Sequence, residues 1–488
     1  MKKNLIPVLI MSLLLLTGCK KFLEQLPDQR TVLDSPEKVS ELLVSAYPQG
    51  SYIDVCESMS DNVVENPFAT TVDAINTDSY MWKDVQSVQQ DAPTYYWNSC
   101  YAAIAAANQA LDAIAKAADQ QAYVSQKGEA LLCRAYAHFM LVSLFAKTYD
   151  PATAATDPGI PYVLSPETVV FGNYERKTVD YTYNMVEKDL QAGLPLIDNN
   201  AYAVLRYHFN KTAAFAFAAR YYLFKQQYDS VISYAKKAFP SENYAANMRP
   251  WLTAYAALSS TETGLTYTKS SENANLLINE ASSWWARRFT AQKYSTSSDI
   301  INKVLSRGGY ANVTGGQTAY NYWYNSTSQI YYIRKFAEHF VRTSLNATTG
   351  TGYVMIPLLT TEEVLMNRAE AYVMKGEYDN AIKDLNTFYA QRIKSYSSTT
   401  NGITAAKATT FYNTTDTKEA LLKTILDAKR AEFLHEGLRW FDILRHKLPV
   451  VHQTGTTPNV VTLTLAPSDP RRVLQVPIDA QVIGKNPR

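Results

Sequence analysis

Cysteine is scarce in this 488-residue chain: there are four, Cys19, Cys56, Cys100 and Cys133, and no spacing pairs them. That excludes a disulfide framework and leaves room for at most one bridge among the last three. An excess of one charge is missing as well, with 47 Lys and Arg against 45 Asp and Glu. A chain so close to neutral has no general electrostatic pull on nucleic acid or anionic lipid, and nucleic-acid binding is set aside. The six histidines, His138, His208, His339, His435, His446 and His452, show no metal-ligand spacing. His435-Glu436 opens like a zincin helix, but no histidine stands four after His435. Neither a metal nor a cofactor is expected. Phosphate-binding loops are lacking, and Gly308 to Gly316 has glycines without the central serine of a nucleophile elbow. After Leu16, no apolar run approaches the roughly 20 residues that a membrane span needs.

What is present begins at the first residues. Lys2 and Lys3 precede an apolar run from Leu5 to Leu16, interrupted only by Pro7 and Ser12. That is the charged and then apolar order of a secretory signal. Leu16-Thr17-Gly18-Cys19 follows, and small residues before a cysteine in this frame resemble a bacterial lipobox. The expectation is a lipoprotein signal peptide over 1–18, cleavage before Cys19, and acylation of Cys19. Residues 19–34, polar and carrying Pro27, read as a lipid-anchored tether. Stable attachment needs more than one acyl chain, which such processing supplies.

The body reads as mostly α. Ser35-Pro36-Glu37 is an N-cap, a proline at the first helical position and an early acid. Residues 48–92 lose the helical period and read as loop, with Trp82 exposed or half exposed. The period returns at Trp97, Tyr101, Ile104, Asn108, Leu111 and Ile114, and again over Gln126 to Lys147 and Thr178 to Leu194. Self-comparison then finds Ala219, Tyr222, Lys225, Tyr228, Asp229 and Ile232 repeated as Ala369, Tyr372, Lys375, Tyr378, Asp379 and Ile382. Each copy reads as helix, tight turn, helix, which resembles the tetratricopeptide repeat. The division expected is 35–250 for an N-terminal repeat-like part, 251–353 for an irregular insertion, 354–450 for C-terminal repeat-like helices and 451–488 for a terminal segment.

The insertion stands out by its rings. The chain holds 35 Tyr, 17 Phe and 7 Trp. Trp251, Trp284, Trp285 and Trp323 all fall in 251–353, amid Ser, Thr, Asn and Gly. A long insertion without strong helical order, rich in aromatics, is a candidate functional surface.

At Arg430-Ala431-Glu432-Phe433-Leu434-His435-Glu436-Gly437-Leu438-Arg439-Trp440-Phe441-Asp442-Ile443-Leu444-Arg445 the sequence resembles the hallmark of the SusD/RagB family. These are nutrient-capturing surface lipoproteins of Bacteroidetes. Other stations agree: Cys19-Lys20-Lys21-Phe22-Leu23, the Trp97 to Asn108 helix, Glu129-Ala130 with Arg134-Ala135-Tyr136, and Gly159-Ile160-Pro161. Glu363 with Asn367-Arg368-Ala369-Glu370-Ala371, then Val476-Pro477-Ile478 and Asn486-Pro487, complete the series. One departure is Phe145-Ala146-Lys147, where the family more usually has an aromatic-glycine turn. The resemblance implies tetratricopeptide-type hairpins forming a right-handed superhelical scaffold, packed against an irregular, loop-rich ligand-binding part. It also implies an address and a partner: the outer membrane at the cell surface, lipid-anchored, beside a TonB-dependent outer-membrane porin of the SusC/RagA kind.

The hallmark block also has a physical reading. Gly437 lets the chain leave one helix in a left-handed conformation, with a new helix from about Leu438. Glu436 with Arg439, and Asp442 with Arg445, are three apart and so placed to pair. Glu432 and Glu436, at i and i+4, could stand the about 5–9.5 Å apart that glycosidase carboxyls require. Arg430 and Arg439 nearby would keep both ionised, whereas a general acid needs a raised pKa. The chain is therefore read as a binding protein, not an enzyme.

Sugars offer apolar C–H faces and many hydroxyls, which aromatic rings and polar side chains can meet. In an extended Tyr320-Asn321-Tyr322-Trp323-Tyr324, the three tyrosines project to one side and Trp323 to the other. Tyr320, Tyr322, Trp323 and Tyr324 are the first ligand-binding candidates, with Trp82, Trp284 and Trp285 next. A glycan is the expected ligand. Two other readings stand beside it: the same role for oligopeptides, or an assembly lipoprotein that uses its repeats for protein contacts.

Overall fold

Ser35 opens the first helix as its spacing predicts. Its hydroxyl accepts from the Lys38 amide at 3.4 Å, Pro36 follows, and α1 runs Pro36–Leu43. The computed structural model describes residues 33–167, 174–455 and 458–482. The expected signal peptide, Cys19, all but the last two residues of the expected tether, and Asn486-Pro487 lie outside the described residues. Within them the chain forms 19 α-helices and nine short strands.

Residues 48–92 are less irregular than expected. They contain α2 (Ile53–Met59) and α3 (Ala74–Tyr80). Every residue of α2 is buried, its polar stripe of Asp54, Glu57 and Ser58 included, and a helix of seven residues spans too few turns for a period to stand out in sequence. The long helices come next: α4 (Pro93–Lys116), α5 (Val124–Phe145) and α6 (Val179–Gly193), the last capped by Thr178. Alanines at 103, 106, 107 and 110 let α4 lie close to its neighbours. Arg134 of α5 reaches Asp189 of α6 through two hydrogen bonds of 2.7 Å and donates to Asn108 of α4 at 2.9 Å. One buried guanidinium therefore pins three helices.

The two copies of the internal repeat are two hairpins. In the first, α7 (Lys211–Phe224) turns at Gln226, φ 60°, into α8 (Tyr228–Ala238). A helix of the insertion, α9 (Ser298–Val304), comes between the copies in sequence. In the second, α10 (Thr361–Lys375) turns at Gly376, φ 79°, into α11 (Tyr378–Ala390). The hairpins pack on each other although the insertion separates them in sequence. Arg220 of α7 grips Glu363 of α10, and Lys375 pairs with Asp229. Beyond a single turn at Ser398–Asn401, the C-terminal part has three longer helices: α12 (Ala405–Tyr412), α13 (Thr417–Glu432) and α14 (Leu438–Arg445).

The insertion is tied in by a sheet and by a core of its own. Two residues of the N-terminal part, β1 (Val64–Glu65), pair with β3 (Tyr294–Ser295). A three-stranded antiparallel sheet has the order β2 (Asn275–Ser282), β7 (Gly350–Thr360) and β6 (Glu338–Arg342). β7 runs across position 353/354 and straight into α10, so the insertion and the second hairpin share a strand. Trp251, Tyr255, Tyr267, Ile301, Leu305, Tyr320 and Ile333 form a core that rests on Ala431 and Leu434 of the hallmark block. Cys56, Cys100 and Cys133 are buried and free.

Candidate functional site

Around the hallmark block, buried charge joins three parts of the chain. Gly437 has φ 73°, and α14 starts at Leu438 as predicted. Glu57 of α2 accepts from the His435 amide at 2.9 Å and the Gly437 amide at 3.2 Å, closing the open backbone of that turn. Asp442 pairs with Arg445 at 3.0 Å, as its spacing predicts, and with Lys429 at 2.5 Å. The other expected pair does not form. Arg439 turns to Asp61, with two bonds of 2.9 Å, and Glu436 is held by Lys335 at 2.7 Å. Arg430 also goes to the α2 side, donating to Asn62 at 2.8 Å and to the Asp61 carbonyl at 2.6 Å. Gly437 breaks the helical path between Glu436 and Arg439, and each finds a partner that only the fold brings near.

The same geometry explains the two glutamates that glycosidase spacing had singled out. Burial pushes Glu432 up, but Arg392, in contact with both its oxygens, outweighs that and holds the carboxyl below its usual range. Tyr320 adds a hydrogen bond of 2.6 Å, and Tyr267 donates to Glu436 at 2.7 Å. The cations in contact with the two carboxylates are Arg392 and Lys335 rather than Arg430 and Arg439. Both carboxyls are thus engaged in ion pairs and hydrogen bonds inside the fold. Glu370, Asp442 and His446 bring their donor atoms within 4.8 Å of one another, but Arg445 and Lys429 already neutralise that cluster.

An accessible aromatic surface lies on the insertion. β4 (Trp323–Asn325) and β5 (Ile330–Tyr332) form a hairpin in which Trp323 faces Tyr332 and Tyr324 faces Tyr331. The Asn325 side chain closes the turn by accepting from Thr327 at 3.0 Å and Ser328 at 3.4 Å. It also donates to Thr290 at 3.2 Å, which seats that face of the hairpin on the body. The other face carries a row of rings. Tyr324 and Tyr331 lie 4.7 Å apart, Tyr322 and Tyr331 5.7 Å, and the Arg307 guanidinium stands 4.6 Å over Tyr322. Tyr324 is 47% exposed, and Tyr322 and Tyr331 are half-buried. Exposed Ser326 and Thr327 add hydroxyls at the tip.

Of the seven aromatic candidates, Tyr322, Trp323 and Tyr324 come together on this hairpin. Trp323 is half-buried on the opposite face, 6.3 Å from Tyr332, as alternation requires. Trp284 is half-buried elsewhere on the insertion, with Arg288 4.0 Å over its ring. Tyr320 departs from its expected place beside Tyr322: it is 1% exposed and packs 5.3 Å from Trp251. Trp82 and Trp285 are also interior. The Trp82 ring stacks on His452 at 4.4 Å and its N–H donates to the Met59 carbonyl at 3.0 Å. The Trp285 N–H donates to the His435 carbonyl at 3.0 Å. An indole whose N–H finds a buried carbonyl loses little by burial, which is why these rings left the surface. Tyr331 and Arg307 were overlooked. Two short aromatic runs flanking Asn-Ser-Thr-Ser-Gln were the hairpin signal that would have found Tyr331.

Two family patterns cover nearly the whole chain. One, described as "Starch-binding associating with outer membrane", matches residues 21–223. The other, the SusD family, matches residues 217–481, more than half of the chain. Among solved structures, a SusD superfamily protein from Bacteroides thetaiotaomicron superposes with a TM-score of 0.68 at 19% identity, covering 93% of this chain and all of its own. A SusD superfamily protein from Bacteroides fragilis gives 0.65 at 17%, covering 93% and 98%. A SusD-like carbohydrate binding protein from Bacteroides vulgatus gives 0.63 at 15%, covering 93% and 97%. No curated protein matches. No described helix is long and apolar enough to cross a membrane. With the hallmark at the junction of its parts, its paired hairpins stacked and both family patterns in register, the chain belongs to the SusD/RagB family.

Proposed function

We propose that this protein is a cell-surface lipoprotein, anchored through Cys19, that captures glycans and passes them to a TonB-dependent outer-membrane transporter. The observation that carries the glycan reading is the ring row of exposed Tyr324 with half-buried Tyr322 and Tyr331, beside Arg307. Rings at this spacing offer apolar faces to successive sugar units, while phenol and turn hydroxyls meet the sugar hydroxyls. The body needs no chemistry of its own for this task, in keeping with hallmark carboxyls that are neutralised by buried cations. Membership of the family supports both the outer-membrane address and the transporter as partner.

The test is titration calorimetry of the purified body with soluble glycan and mixed-peptide panels, for the native chain and for Tyr324→Ala/Tyr331→Ala. Removing both rings should weaken glycan binding by about 1–3 kcal/mol; Tyr331 is half-buried against the core of the insertion, so the melting temperature is read alongside to separate lost binding from lost folding. Undiminished glycan affinity would remove the hairpin from the site. Binding of peptides alone would replace the ligand class.

A further inference from the structure

A second aromatic surface, this one concave, adjoins the segment that leads into the hairpin. Between α9, residues 306–320 and helices α11, α12 and α13 is a cleft of about 240 Å³. Two of its rings are open to solvent and come from different parts of the chain: Tyr310, 41% exposed, from the insertion, and Phe411, 39% exposed, from α12. Tyr412 is perpendicular to Phe411 with ring centres 4.8 Å apart, and its hydroxyl donates to exposed Asp427 at 2.7 Å. Arg307 links cleft and hairpin. It donates to the Thr318 and Tyr320 carbonyls of the cleft wall while stacking on Tyr322 of the ring row.

The lining limits what could enter. The backbone of one wall is already spent: the Ala319 amide donates to the Arg392 carbonyl at 2.8 Å, and the Lys394 amide to the Gln317 carbonyl at 2.9 Å. A peptide would therefore find no strand edge to extend there. At the mouth Lys303 and Asp427 carry opposite charges, and deeper in, Arg392 is committed to Glu432 and Glu362, and Arg430 to Asp61 and Asn62. No surplus charge is left to select an ion. What remains is ring faces with a carboxylate, an ammonium and hydroxyls around them, in a space that admits a ring but not a run of units. We propose that this cleft is a second saccharide site, taking one neutral pyranose as a chain end or branch, while the hairpin stacks on the length of the chain. This rests on the glycan reading above.

Saturation-transfer NMR with methyl glycosides of the common neutral hexoses tests it, on the native chain, Tyr310→Ala/Phe411→Ala and Tyr324→Ala/Tyr331→Ala. Tyr310 and Phe411 are exposed, so the melting curve of that variant should coincide with the native one; a melting curve shows that the hairpin variant is folded, and Asp427→Asn gives a variant that keeps every ring. Methyl glycosides should bind the native chain and the hairpin variant alike, at least tenfold more weakly the Tyr310/Phe411 variant, and measurably more weakly Asp427→Asn. Binding that survives loss of Tyr310 and Phe411, or that disappears only with Tyr324 and Tyr331, would overturn the cleft and leave the glycan function standing. Absence of binding by every methyl glycoside, with long glycans still bound through the hairpin, would overturn the cleft as well. If no saccharide binds anywhere, the function and the cleft fall together.

Discussion

Replacing Arg392 by methionine is the sharpest test of how the insertion is held. Arg392 is 1% exposed at its side chain and reaches Glu432 at 2.6 and 3.1 Å and Glu362 at 3.0 Å. It also donates to the Arg249 and Gln391 carbonyls at 3.1 Å. Arg249 holds the other oxygen of Glu362, and Lys335 holds Glu436, so three buried cations face three buried carboxylates. Methionine preserves much of the volume but leaves one negative charge over and two carbonyls short of a donor. Breaking such a pair costs about 3–5 kcal/mol. Glu362, which burial already raises, is positioned to take up the compensating proton. Its folded pKa in the variant would then lie above the unfolded one, so the loss should be smallest near pH 4–5 and grow as pH rises. Adding Glu432→Gln restores the charge balance and should recover about 2 kcal/mol. Urea denaturation followed by tryptophan fluorescence reads the cost, and hydrogen exchange should rise first in 251–353. A loss below about 1 kcal/mol, or no recovery in the double variant, would refute the balanced-charge account.

Two further substitutions probe the turn at the hallmark. Gly437→Ala meets both a left-handed φ of 73° and a Cβ 3.1 Å from Ile53 and Cys56, whereas Gly376→Ala has a φ of 79° with open space around it. Gly376→Ala should therefore cost about 1 kcal/mol from backbone strain, and Gly437→Ala clearly more, by urea midpoints; equal losses would sink the crowding argument. Burial pushes Glu57 up to about 7, against hydrogen bonds from the His435 amide, Asn62 and the Gly437 amide. Its unfolded carboxyl titrates near 4.5, so its contribution is fully present below that pH and is lost as pH rises through 7. Glu57→Gln should remove this slope and gain about 2–3 kcal/mol on the native chain between pH 5 and pH 8, by paired denaturation curves. Parallel profiles would show that Glu57 keeps one protonation state.

Much of this protein was written locally. The caps at Ser35 and Thr178, the long helices α4 to α6, both repeat hairpins with their turns, and the break at Gly437 follow from residue spacing and backbone preference, which act within a few positions. The match of the hallmark to its family was also legible as a string. α2 was not: it is only two turns long, and the burial of its polar stripe of Asp54, Glu57 and Ser58 depends on the 435–437 turn, more than 360 residues away. Nor was the pairing of Glu436 and Arg439, since Lys335 and Asp61 arrive from other elements.

The rings show the division most clearly. Composition and position marked the insertion as the aromatic surface, and period-two alternation put Tyr322 and Tyr324 on one face. Tyr320 has the same spacing and the same chemistry, yet its hydroxyl finds Glu432 and its ring finds Trp251, so it is core. Tyr331 and Arg307 joined the row, and Tyr310 met Phe411 across a cleft, through tertiary placement. A sequence can say that a side chain is able to stack or to bury itself. Which of the two it does depends on free-energy differences set by partners far along the chain, and only the folded arrangement supplies them.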